Sequence, residues 1–287
     1  MTTTRFFSLA LLVCIALTSL ALAAAPNYKF GSLQVAGAQQ TVAFSINDSG
    51  VVAGWYTDAG GTLHGVTFSG KTVTTIDHPG GTLTQCFSIN ASGAIAGYYN
   101  NSSNIAIGFS YQNGVFTDIT PPGASGTIAY GINDAGEVVG QFSDVSGVHG
   151  FIDNNGSYTI LNVPGATATI PGSINSSGQI IVQWVDVVNV FHSSIYNAGG
   201  YTELHVPGAT LTLGHAINNL GNIAYSWFDA AGNVHGSISQ GNRFVELSDP
   251  SGTMTGIDGV NNKLQISGTF LPTGSTVRQG YKGVPSK

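Results

Sequence analysis

One short motif governs what this chain can become. Ile-Asn-x-x-Gly, or a close variant, recurs with its first residue at Ile46, Ile89, Ile132, Ile174, Ile217 and Val260. Asn follows every time: Asn47, Asn90, Asn133, Asn175, Asn218 and Asn261. The steps are 43, 43, 42, 43 and 43 residues. A Pro-Gly-Ala-like corner keeps the same register at Pro79, Pro122, Pro164, Pro207 and Pro250. A period of this length marks supersecondary units that stack in an array or a ring.

The third copy shows the unit. Thr127 to Asn133 alternates as a strand does, and Asp134-Ala135-Gly136 is a tight turn. Glu137–Phe142 is a second strand, His149–Asp153 a third and Tyr158–Val163 a fourth, with Asn154-Asn155-Gly156 as a hairpin signal. Four short strands in ~43 residues fit one propeller blade. No window of helical length has a 3.6-residue period. The expected fold is therefore all-β: a six-bladed β-propeller of four-stranded blades, with an open repeat array as the alternative. The repeats run at about 41–80, 84–123, 127–165, 169–208 and 212–252, and the sixth is split between 28–37 and 253–287. The last copy ends one strand short, while Tyr28–Ala36 resembles an orphan fourth strand. The amino-terminal strand is thus expected to complete the last blade, which removes an exposed edge.

Composition agrees and excludes other classes. The 40 glycines are about twice the usual ~7% share, as chains rich in tight turns require. Only 8% of residues are charged, far below the ~25% that is ordinary, so a coiled coil is excluded. A net charge of −6 argues against a nucleic-acid partner. Hydrophobic residues at 42% and aromatics at 10% argue against disorder. Residues 1–23 read as a signal peptide: Arg5 precedes an apolar run over 6–20, and Ala21-Leu22-Ala23 fits a cleavage site. Residues 24–287 are then one domain, expected outside the cytoplasm, monomeric and without a membrane span. Cys14 leaves with the leader, so Cys86 has no internal disulfide partner.

Gly131-Ile132-Asn133-Asp134-Ala135-Gly136-Glu137-Val138-Val139-Gly140, His149-Gly150-Phe151 and Val163-Pro164-Gly165-Ala166 together resemble the bacterial extracellular HAF-repeat family. The resemblance spans residues 28–287 and is strongest in the first three copies. Val182, Ser193 and Leu264 depart from it, each standing where Gly is expected. It implies export and a propeller-like fold, and it carries no reaction, substrate or catalytic residue.

Repetition decides how candidate residues are weighed. The Asn at every turn is expected to hydrogen-bond its own turn, with an ion or sugar at a ring of them as the alternative. His64, His149, His192 and His235 share one third-strand position, and each follows an Asp (Asp58, Asp144, Asp186, Asp229) by five or six residues. Histidines in separate blades diverge, so an Asp–His clasp within each blade is expected rather than a metal site. Asp118, Glu203 and Glu246 share a peripheral fourth-strand position, and no acid pair of glycosidase spacing is visible. Cys86 occupies a position otherwise filled by Ala43, Ala129 and Gly214, so a packed thiol is expected.

The informative position lies two residues before the Ile. Around the ring it holds Phe44, Phe87, Tyr130, Gly172, His215 and Asp258. On a regular strand it would share a face with the Ile and pack between blades. His215 and Asp258 break the pattern together, so a paired site near the axis, orienting an imidazole or simply neutralising a buried group, is the alternative to packing. Phe44, Phe87, Tyr130, His215 and Asp258 are the ligand-binding candidates, with His215 and Asp258 as weak catalytic ones and no triad partner in register. No metal or cofactor is implied. The expected function is a secreted, non-catalytic binding or scaffold propeller for an unknown carbohydrate, protein or envelope ligand. The alternative is a secreted lyase or hydrolase with its site at the channel mouth.

Overall fold

The computed structural model describes residues 27–241, 243–247 and 252–286, with the backbone alone for 252–255. The expected signal peptide, Cys14 and Pro250 lie outside the described residues. β1 (Tyr28–Leu33) precedes the first complete blade. That blade is β2 (Gln40–Ile46), β3 (Val52–Thr57), β4 (Leu63–Ser69) and β5 (Thr72–Ile76). The second is β6 (Leu83–Ile89), β7 (Ile95–Asn100), β8 (Ala106–Gln112) and β9 (Val115–Ile119). The third is β10 (Gly126–Ile132), β11 (Val138–Asp144), β12 (Gly147–Asn154) and β13 (Ser157–Leu161). The fourth is β14 (Ala168–Ile174), β15 (Ile180–Val185), β16 (Phe191–Asn197) and β17 (Gly200–Glu203). The fifth is β18 (Leu211–Ile217), β19 (Ile223–Phe228), β20 (Val234–Gln240) and β21 (Arg243–Leu247). The sixth has β22 (Gly252–Val260), β23 (Ile266–Pro272) and β24 (Gln279–Pro285), and β1 pairs antiparallel with β24 as its outer strand. Among the described residues no helix is long and apolar enough to cross a membrane.

The expected six separate sheets are found as four four-stranded sheets and one of eight strands. The eight-stranded sheet is the third and fourth blades joined by one parallel bridge, Val148 to Ala168. The cause is the single 42-residue step. The missing residue lies in the β11–β12 turn, where Asp144 precedes His149 by five positions rather than six. The shortened turn lets β12 begin at Gly147 and reach the start of β14.

The core lies between blades, not within them. One cluster joins Ala53 and Ile76 of the first blade to Cys86, Ile89, Ile95 and Phe109 of the second. Another joins Ile119 of the second to Ala129, Ile132 and Phe151 of the third. Such face-to-face burial is worth about 25 cal/mol per Å² of apolar surface. Within a blade the first and second strands crowd beside the register shift: a Cβ on Gly97 would lie 2.1 Å from the Gln85 carbonyl oxygen of the paired strand. Gly97→Ala is expected to cost about 2–3 kcal/mol, as overpacking does, and to lower the melting temperature by about 5–10 °C. An unchanged melting curve would show that the backbone yields there. Leu264, which departs from the turn Gly, takes the same left-handed conformation (φ 56°) and packs against the sixth-blade core.

The recurring Asn does two jobs. In every turn its Oδ1 accepts from backbone amides two and four residues on, as Asn47 does from Ser49 and Val51 at 3.1 and 3.0 Å. Its Nδ2 donates to the backbone carbonyl of the equivalent Asn in the next blade. The cycle runs from Asn47 to Asn90, Asn133, Asn175, Asn218 and Asn261, and Asn261 donates back to Asn47 at 2.8 Å. All six are buried. The turn role was legible in sequence, whereas the inter-blade bond was not.

Candidate functional site

Every innermost strand loses pairing register at the same repeat position, and β22 does so a second time between Gly252 and Thr255. The shifts fall between Ala43 and Ser45, Cys86 and Ser88, and Ala129 and Gly131. In the other blades they fall between Pro171 and Ser173, Gly214 and Ala216, and Ile257 and Gly259. The residues passed over are Phe44, Phe87, Tyr130, Gly172, His215 and Asp258. An extra residue breaks the two-residue alternation and re-aims its side chain. This corrects the expectation that position and Ile share one face: the bulge turns these side chains toward the axis. Phe44, Phe87, Tyr130, His215 and Asp258 all line one cavity of about 340 Å³. The signal that sequence reading missed is the bulge itself, which no hydrophobic period reveals.

The cavity has two unlike halves. On one side Phe44 meets Phe87 edge-on at 4.9 Å between ring centroids, and Phe87 meets Tyr130 at 5.0 Å. These aromatics both pack across blades and form a wall. On the other side Gly172, between Tyr130 and His215 in ring order, leaves space, and His215 and Asp258 complete the circle. A second cavity of about 420 Å³ shares Phe44, His215 and Asp258 with the first. Trp55, Thr269 and Arg278 also line it. Trp55 Nε1, His215 Nε2 and Thr269 Oγ1 are buried without a hydrogen-bond partner. Buried polar atoms without a partner are uncommon, because each costs about 1–3 kcal/mol. Three beside one cavity point to a ligand or water that would pair them. The other two indoles, one position further along the second strand in register with Tyr56, are satisfied: Trp184 and Trp227 donate to Ser194 and Ser237 at 3.0 and 2.9 Å.

His215 and Asp258 do not clasp each other, and among the described residues no hydrogen bond or ion pair joins them. Both keep some accessible surface, because they front the cavity, yet they sit deep in the ring. Removal from bulk water pushes the His215 imidazole down to about 4, so it is neutral. The same desolvation pushes the Asp258 carboxyl up to about 7, against a smaller opposing pull from Arg278. Burial likewise pushes Tyr130 up to about 12.

At its other end the channel narrows to a pocket of about 80 Å³ beside the Asn ring. A polar collar lines this pocket. Asn262 donates from its backbone and side-chain nitrogens to Asp48 at 2.9 and 2.7 Å. Asp134 accepts from Ser176 Oγ and Asn219 Nδ2 at 2.9 and 3.0 Å.

The four register histidines lie apart, each held inside its own blade. Nε2 of His64, His149, His192 and His235 meets Asp58, Asp144, Asp186 and Asp229 at 3.2–3.3 Å. The expected clasp is present, with a second arm that sequence reading missed. Nδ1 of His64, His192 and His235 meets Asp77, Glu203 and Glu246 at 2.8–3.0 Å. The second blade has Ile107 at the His position. There His78 stacks on Tyr99 at 3.6 Å and approaches Asp118 at 3.7 Å. Partial burial works against protonation of His64 and His192, but their acid partners outweigh it and raise both. In His235 the Glu246 bond is the largest influence and raises it. Asp229 is lowered to about 2, chiefly by the Asn233 side chain.

The signs fix a pH window. Raised histidines stabilise fully below the unfolded value near 6.5, and that stability is lost as pH rises through their folded values. Lowered aspartates stabilise above 3.8, and that stability is lost as pH falls through their folded values. The clasps are complete between those limits. In an NMR titration His64, His192 and His235 should show midpoints above 6.5, and Asp229→Asn should lower that of His235. A native His235 midpoint at or below 6.5 would contradict the clasp.

Cys86 is fully buried, and burial pushes its thiol up to about 12. It packs against the Gly65 backbone and has the character of an inert small hydrophobe rather than a nucleophile.

No family model matches the chain, and no curated protein matches it. Solved structures do. The putative TolB from Agrobacterium tumefaciens superposes with a TM-score of 0.59 at 12% identity, over 79% of this chain and 90% of that one. AofleA from Arthrobotrys oligospora gives 0.51 at 10% identity, over 88% and 84%. The Aleuria aurantia lectin, described as a six-bladed β-propeller with a fucose recognition mode, gives 0.49 at 14% identity, over 88% and 93%. At such identities the likeness is one of architecture, and the two superpositions above 0.5 agree with the β-propeller fold seen in this chain.

Proposed function

We propose that this chain is an exported, non-catalytic binding propeller that takes a small polar ligand, such as a glycan or envelope component, into its central channel. The observation that supports this most is the grouping of unpaired Trp55, His215 and Thr269 atoms beside cavities with an aromatic wall. Aromatic faces with a few placed polar groups are what a small-ligand pocket offers. The resemblance to extracellular repeats and the leader-like residues 1–23 support export.

Thermal shift against an oligosaccharide panel tests the reading. A ligand present at 100 times its dissociation constant stabilises by about 2.7 kcal/mol, or about 5–10 °C here. Gly172→Phe, which extends the aromatic row into the open half, should abolish the shift. A panel without a hit, or a hit indifferent to Gly172→Phe, would overturn it.

The alternative is an acid–base enzyme in the same cavity. Neutral His215 beside a carboxyl poised near neutrality favours it. Asp258→Asn that preserves binding but abolishes turnover would support this second reading.

A further inference from the structure

We infer that the group seated in the channel is a protonated amine, so that the ligand is an amino sugar or another small ammonium compound. This rests on the binding reading above and names the chemistry of its ligand.

Asp258 is the only carboxylate lining either mid-channel cavity among the described residues. No protein hydrogen bond or ion pair reaches it among them, although its bulged position aims it at the axis. Other acids of the ring differ. Asp48 and Asp134 are met by collar donors, and Asp58, Asp144, Asp186 and Asp229 by histidines. An isolated carboxylate of this kind is costly unless something cationic arrives to pair it. The walls around it are suited to a cation: Phe44, Phe87 and Tyr130 on one cavity, Trp55, Phe228 and Phe270 on the other. Aromatic faces attract ammonium groups, and the more so when water is excluded. A neutral sugar could use the ring faces but would leave the carboxylate unneutralised.

The charged and titratable groups facing Asp258 are few. His215 comes from β18, Tyr130 from β10, and Arg278 from the segment before β24. His215 and Tyr130 are neutral near pH 7. Arg278 is exposed at the rim and is the one competing cation. Amine affinity should therefore weaken as pH falls and Asp258 takes up its proton. It should strengthen when the competing guanidinium is removed.

The test is calorimetric titration of residues 24–287 with three oligosaccharides of one length: glucosamine, N-acetylglucosamine and glucose oligomers. Choline serves as a sugar-free cation. At pH 7 the glucosamine oligomer should bind at least tenfold tighter than the other two sugars, and choline detectably. Asp258→Asn should erase the preference, Arg278→Gln should enhance it, and pH 5 should reduce it. Equal affinity for acetylated or neutral oligomers, still blocked by Gly172→Phe, would overturn the amine and leave the binding reading intact. A preference that survives Asp258→Asn would also overturn the amine inference. No binding of any probe would overturn both.

Discussion

Asn218→Asp is expected to cost about 3–5 kcal/mol at pH 7, the range for a buried charge left without a partner. Two contacts survive the change, because the introduced carboxyl still accepts from the Leu220 and Asn222 amides. The third reverses. Asn218 Nδ2 donates to the Asn261 carbonyl at 2.9 Å, and in the variant two oxygens face each other in a buried site. The melting temperature should fall by about 10 °C or more. The loss should also be pH-dependent. Burial raises the folded pKa of the new carboxyl above its unfolded value, so the penalty is present at neutral pH and fades as pH falls through the folded value. Once protonated, the group can donate to Asn261 again. A variant that melts like the parent at pH 7, or that fails to recover in acid, would contradict the inter-blade role.

The second large effect concerns ring closure. All of β1 is in register with β24, from Tyr28 opposite Pro285 to Leu33 opposite Gly280. Phe30 meets Tyr281 edge-on at 5.3 Å, and Tyr28 Oη donates to the Leu264 carbonyl at 2.6 Å. Removing residues 27–36 should lower the melting temperature by more than 10 °C and promote association, because β24 becomes a bare edge. A synthetic peptide of residues 27–36 should restore stability saturably by adding the strand back. Truncation without effect on melting or light scattering would show that the ring holds without its clasp strand.

How far the sequence could be read depended on whether partners lay inside one repeat. The strands, the turns and the split sixth blade were legible because each depends on neighbours within about forty residues. The Asp58–His64 clasp was legible at six residues' separation, whereas its Asp77 arm was not sought across the hairpin. The Asn donors escaped because their acceptors lie one repeat on, as Asn90 Nδ2 to Asn133 O does. The candidate site was located by a break in pattern at His215 and Asp258, but for an incomplete reason. Period-two reasoning assumes an unbroken ladder, and a bulge at Phe44 or His215 leaves no mark on hydrophobicity. The unpaired state of Trp55 and Thr269 depends on which side chains lie across the channel, and that required coordinates.

Among the described strands, the ribbon that locks the circle is also the first made. Tyr28 must wait for Pro285, and at about 5–20 residues per second that is roughly 13–50 s of synthesis. During that interval the growing molecule can only be an open spring with two sticky ends. Completion is a single late meeting of the first and last described strands, the slowest kind of contact to find. Refolding should therefore end in one rate-limiting snap whose speed answers to Phe30 and Tyr281 rather than to any residue in the middle of the chain.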